Sequence, residues 1–116
     1  MSDELKIRTK RYALSVLDIV DRMPVNTSAK VIAYQIAKAA TSVGANYRAA
    51  CRSRSDKEFI AKMEIVLEEA DETLYWLEIM IARQLGNHEL LNQVWKEGNE
   101  LTAIFVSSLK TVKSRL

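Results

Sequence analysis

Ser55–Asn87 reads SDKEFIAKMEIVLEEADETLYWLEIMIARQLGN, and this stretch decides the fold. Ser55-Asp56-Lys57-Glu58 is a capping box: a hydroxyl accepts from the first turn of a helix, and a glutamate three residues on reaches back. Phe59, Met63, Val66, Ala70, Leu74, Leu77, Ile81 and Leu85 then recur at spacings of three and four, one apolar stripe of a long helix. Gly86-Asn87 predicts the end of that helix at a residue tolerant of left-handed backbone, with Asn87 capping the next.

The same punctuation extends outward. Pro24 stops an earlier helix, and Asn26, Thr27 and Ser28 offer N-cap oxygens to its successor. Four helices are predicted at about 4–23, 28–51, 56–85 and 88–114. Their stripes are Leu5, Tyr12, Val16, Ile19 and Met23 in the first; Ile32, Ile36, Ala39, Val43, Tyr47 and Ala50 in the second; and Leu91, Val94, Leu101, Phe105, Val112 and Leu116 in the fourth. Connections this short favour antiparallel neighbours, so the expected fold is all-α, an up-down-up-down four-helix bundle forming one domain over residues 1–116.

Composition removes most other classes. With 48% apolar residues among 116, and only three glycines and one proline, the chain is too apolar for disorder. No apolar run is long enough to span a membrane, and Met1-Ser2-Asp3-Glu4-Leu5 lacks a secretory core. A lone cysteine, Cys51, makes no internal disulfide or zinc cage, and a reducing cytoplasm is expected. A di-iron bundle needs Glu-x-x-His on two helices, yet the only histidine, His88, follows Leu85 at that spacing. Cys51 has basic neighbours in Arg48 and Arg52 but no accompanying base signature. Glu68, Glu69, Asp71 and Glu72 read as a solvated face. No catalytic residue, metal or cofactor is predicted.

Two features remain after the core is assigned. At about 100° per residue, Ile65, Tyr75, Trp76 and Ile79 fall opposite the stripe of the third helix, with Trp95 and Ile104 adding to the excess on the fourth. A bundle monomer has no second layer to cover them, so Ile65, Tyr75, Trp76 and Ile79 are the expected contacts of a homo-oligomer. The second feature is charge. Residues 25–55 hold five basic residues (Lys30, Lys38, Arg48, Arg52, Arg54) and no acidic one, whereas residues 56–86 hold three basic and eight acidic. Lys30, Lys38, Arg48 and Arg52 share an arc of about 80° that also contains Tyr34, a pattern able to track phosphates and stack a base. The isoelectric point of 8.7 falls short of the strongly basic range. Two plainer readings therefore stand beside it: a solvated helix face, or a face pairing with the acidic helix of a neighbouring subunit.

Gln35-Ile36-Ala37-Lys38-Ala39-Ala40-Thr41-Ser42-Val43-Gly44-Ala45-Asn46-Tyr47-Arg48-Ala49-Ala50 resembles the second helix of the bacterial four-helix bundle proteins first noticed as products of intervening sequences in 23S ribosomal RNA genes. Arg52-Ser53-Arg54-Ser55-Asp56-Lys57-Glu58-Phe59 is similar to that family's basic turn and capping box. Glu68-Glu69-Ala70-Asp71-Glu72-Thr73-Leu74-Tyr75-Trp76-Leu77 is similar to its third-helix signature. Many members carry Ser-Ile-Pro-Ser-Asn-Ile-Ala-Glu-Gly where this chain has Ser42 to Ala50, so Gly44 stands near the usual proline. There it permits a bend or a close helix contact, and it ends a small-residue stripe of Ala33, Ala37 and Ala40.

The resemblance implies a homopentameric ring without enzymatic activity, and Arg48, Arg52, Arg54 and Lys57 match the family's basic turn. A distant relative, the accessory protein of diversity-generating retroelements, binds a reverse transcriptase and nucleic acid through basic surfaces. The expected role is a cytoplasmic scaffold or adapter contacting RNA, DNA or a nucleic-acid-processing protein through Lys30, Lys38, Arg48, Arg52, Arg54 and Lys57. The alternative is a purely structural, protein-binding oligomer.

Overall fold

A computed structural model describes residues 2–116, so the first residue of the Met1–Leu5 stretch lies outside the described residues. Four helices follow one another: α1 (Ser2–Val20), α2 (Thr27–Cys51), α3 (Asp56–Ala82) and α4 (His88–Lys113). No strand occurs among the described residues. Each helix packs on its neighbours in sequence, and α4 closes against α1 more sparsely, giving an antiparallel rod of 47 × 21 × 20 Å.

The helix starts lie where local chemistry puts them. Asn26 caps α2 by accepting from the Ala29 amide at 2.9 Å, Ser55 caps α3 by accepting from Glu58 at 3.1 Å, and Asn87 caps α4 by accepting from Leu90 at 2.9 Å. Glu58 does reach back, but to the amide of Arg54 at 3.4 Å, one residue before the cap.

Two ends differ from expectation, whereas α2 ends at Cys51 and α4 within a residue of its predicted end. α1 stops at Val20, and Asp21–Met23 continue as tightened turns before Pro24. α3 stops at Ala82 because Gln84, with φ +55°, takes the left-handed position. Gln84 donates to Ile81 and Leu85 to Met80, a Schellman closure that turns Leu85 into the core. Gly86 (φ +114°) serves the following turn instead.

The core runs the length of the rod, centred on Val16, Ile36, Val43, Met63, Val66, Leu77, Leu101 and Phe105. Five stripe residues sit differently from expectation. Phe59 and Ile81 are only half-buried, while Ile60 and Met80 take the central places on α3. Leu5 and Met23 pack at the margin. Leu116 lies beyond the end of α4 and is 69% exposed. Gly44 does serve a close helix contact: a Cβ there would stand 3.3 Å from Thr9 Oγ1 on α1.

The outward apolar set on α3 needs correction. Trp76 and Ile79 are half-buried against the core, as is Trp95 on α4, whose Nε1 donates to the exposed Glu78 at 3.0 Å. α3 has neighbours on two sides, so residues at the flanks of its stripe are covered by α2 and α4. Ile65 and Tyr75 remain outward, 40% and 54% exposed.

Candidate nucleic-acid interface

α2 turns Ile32, Ile36, Ala39, Val43, Tyr47 and Ala50 inward, and its opposite face is left to water. That face carries Lys30, Tyr34, Lys38, Arg48 and Arg52, all exposed, and Arg54 continues the series on the turn. Lys57 is exposed in the first turn of α3. None of these six cations forms an ion pair among the described residues; the ion pairs lie elsewhere, at Lys6–Asp3, Arg8–Glu97, Arg8–Glu100 and Arg115–Asp56.

The structure adds two cations that sequence reasoning missed. Lys6 and Lys10 of α1 join Arg48 and Arg52 of α2 around a groove of about 450 Å³. Ala13, Thr41, Gly44 and Ala45 help to line it, and no acidic side chain does. The small residues that bring α1 and α2 together are what leave the space. The signal in the sequence was a lysine pair four residues apart on α1, but a groove between two helices appears only once both are placed.

The acidic counterpart is α3. Glu64, Glu68, Asp71, Glu72 and Glu78 are exposed around Ile65 and Tyr75. Burial lifts the Glu69 carboxyl above the ordinary carboxylate range, the charges of Glu72 and Glu68 push the same way, and Lys38 opposes them. Lys38 thus marks the border where the basic face meets the acidic one.

Other chemistry finds no footing among the described residues. No three histidine, cysteine or acidic side chains converge as a metal site, and no helix is long and apolar enough to cross a membrane. His88 is exposed beside Asn92, and Cys51 lies at the core margin.

The molecule is therefore an up-and-down helical bundle with one basic and one acidic outer face. It belongs to the 23S rRNA-intervening sequence protein family, whose sequence model matches residues 4–107. Among solved structures it is similar to a protein of unknown function from the S23 ribosomal protein family of Bacteroides thetaiotaomicron VPI-5482. The two are 31% identical with a TM-score of 0.82, over 90% of this chain and 97% of that one. No curated protein matches the chain.

Proposed function

We propose that this chain is a non-enzymatic bundle domain spanning residues 1–116. It acts in the cytoplasm as a homo-oligomeric, five-fold scaffold or adapter that contacts nucleic acid, or a partner that processes it, through the outer face of α2 and the turn after it. The observation that carries the reading is six exposed cations (Lys30, Lys38, Arg48, Arg52, Arg54 and Lys57) with no ion pair among the described residues. Exposed cations without an ion pair of their own attract phosphates and release counterions on contact. A ring would repeat the patch in each subunit, turning modest affinity into avidity along a strand.

A second reading, a structural oligomer without nucleic acid, is favoured by the acidic α3 face around Ile65 and Tyr75. There the arginines would pair with Glu68 and Glu72 of a neighbour. Replacing Arg48, Arg52 and Arg54 by Gln separates the two. Under the first reading, binding weakens about uniformly across sequences, its salt dependence flattens, and the assembly keeps its size. Under the second, the same variant dissociates in a sizing run. A wild-type protein that binds no nucleic acid at low salt would leave only the structural oligomer.

A further inference from the structure

The groove between α1 and α2 has the shape and charge of a seat, and not merely of a charged surface. Its two walls each present a pair of cations one helical turn apart: Lys6 and Lys10 on α1, Arg48 and Arg52 on α2. Four residues of helix rise about 6 Å, a step comparable with that between neighbouring phosphates of an extended strand. The one ion pair among these cations, Lys6 with Asp3, is 3.8 Å long and holds a 94%-exposed carboxylate, so water competes for it.

The floor is small and the volume is modest. At about 450 Å³ the groove lies within the roughly 300–1,000 Å³ of clefts that take small ligands, so it seats a nucleotide-sized unit. Its two hydroxyls are already committed as donors: Thr9 to the Lys6 carbonyl at 3.2 Å, and Thr41 to the Ala37 carbonyl at 2.7 Å. Neither is free to donate to a base edge, which suits a site that follows a backbone and ignores sequence. Further along the same face of α2 stands Tyr34, 65% exposed, an open ring on which an unpaired base can stack.

From this arrangement we infer that the α1–α2 groove binds single-stranded nucleic acid in preference to duplex, with phosphates between the two cation pairs and, about 16 Å up α2 from Ala45 and a few nucleotides along the same strand, a base on Tyr34. The inference rests on the nucleic-acid reading above and adds α1 to the site. A duplex keeps its bases paired and offers Tyr34 no face. It also cannot lower one backbone into a groove of this size without its partner strand.

The test measures binding of fluorescein-labelled oligodeoxythymidylate and oligouridylate strands of about 16 nucleotides, and of a duplex of the same length, across a salt series. Lys6→Gln with Lys10→Gln should lower the salt slope for single strands by about 1.4, at about 0.7 per lost phosphate contact. Ala45→Leu, at an exposed position in the groove, should weaken single-strand binding by about ten-fold with no change in charge, since a filled groove keeps the backbone from the phosphate contacts of both cation pairs. Tyr34→Ala should cost about five-fold or more, and Tyr34→Phe should restore it. Circular dichroism confirms that each variant is folded.

Duplex binding as tight as single-strand binding overturns the inference. So does an acidic peptide, polyglutamate, that binds with the same variant profile. Dissociation of the assembly by Ala45→Leu would make the groove a seam between copies and also overturns it. If Arg54→Gln weakens binding while the α1 and Ala45 variants do not, the groove fails and the broader reading stands. If the wild type binds no strand at low salt, both fall together.

Discussion

Gly98 and Tyr12 show how one missing carbon organises the α1–α4 contact. A Cβ at position 98 would overlap the Tyr12 hydroxyl and come within 2.9 Å of Leu74 Cδ2. The absent side chain makes room for a tyrosine that is 3% exposed and whose hydroxyl has no hydrogen-bond partner among the described residues. Burial drives the phenol well above its ordinary range, and the nearby Glu97 charge adds to this. Gly98→Ala should therefore destabilise the fold by about 1–3 kcal/mol in denaturant melts. Tyr12→Phe should leave stability unchanged or raise it by up to about 1 kcal/mol, because it removes a buried hydroxyl without a partner. The two should couple, with Gly98→Ala costing less in the Tyr12→Phe background. A phenol held neutral by the fold stabilises fully below its unfolded pKa and loses that contribution as pH rises above it. Tyr12→Phe should abolish that alkaline loss. The Tyr12 stripe position was readable from the sequence. Gly98 was not, because a glycine inside a helix takes its meaning from a residue on another helix.

Among the helices, the starts that follow a turn were legible, as was the end of α2 at Cys51, but the ends of α1 and α3 were not, for a physical reason. An N-cap is a local bond between a side chain and an amide three residues on, so Asn26, Ser55 and Asn87 announce themselves. Ser55→Ala should cost about 1 kcal/mol, read as a lower denaturant midpoint at fixed protein concentration; an unchanged midpoint would show that the cap contributes nothing. The end of α3 depends on burying Leu85, a tertiary gain that holds the non-glycine Gln84 in a left-handed conformation. Glu69 belongs to this scale as well, since its raised pKa comes first from burial and then from Glu72 and Glu68 on its own helix. A carboxyl whose folded pKa is raised makes the fold gain stability as pH falls and lose it as pH climbs through the folded value. Glu69→Gln should accordingly be more stable than wild type at neutral pH, with the advantage shrinking in acid. Thermal melts across that range would show it, and an advantage that persisted unchanged in acid would rule out the titration.

For the whole molecule, the charge division was legible because residues 25–55 lack acids altogether and one helix displays the consequence. The groove was not, since Lys6 and Lys10 belong to it only through the packing of Thr9 on Gly44. Of the four apolar residues expected on the outer side of α3, Ile65 and Tyr75 stay outward, whereas Trp76 and Ile79 pack at the core margin. Outward apolar side chains also stand on the basic side, at Ile7, Leu14, Val31 and Tyr34. Light scattering at micromolar concentration should return several times 13.2 kDa, and a monodisperse monomer would remove the ring from the account.

The sparse seam between α1 and α4 has a consequence in time. Its polar fastening is Arg8, whose guanidinium donates to both Glu97 oxygens at 3.1 and 2.6 Å and lies 3.2 Å from Glu100. Helices α2, α3 and α4 are packed in unbroken succession, so α1 can lift away while the other three stay folded, at the cost of that fork and of withdrawing Tyr12, Val16 and Ile19 from the core beside α2. Native-state hydrogen exchange should show the α1 amides opening together at a lower free energy than those of α2 and α3, and Arg8→Gln should speed α1 alone. Because α1 forms one wall of the groove, each such opening would also release whatever the groove holds, and the lifetime of the first helix would cap the residence time of a ligand there.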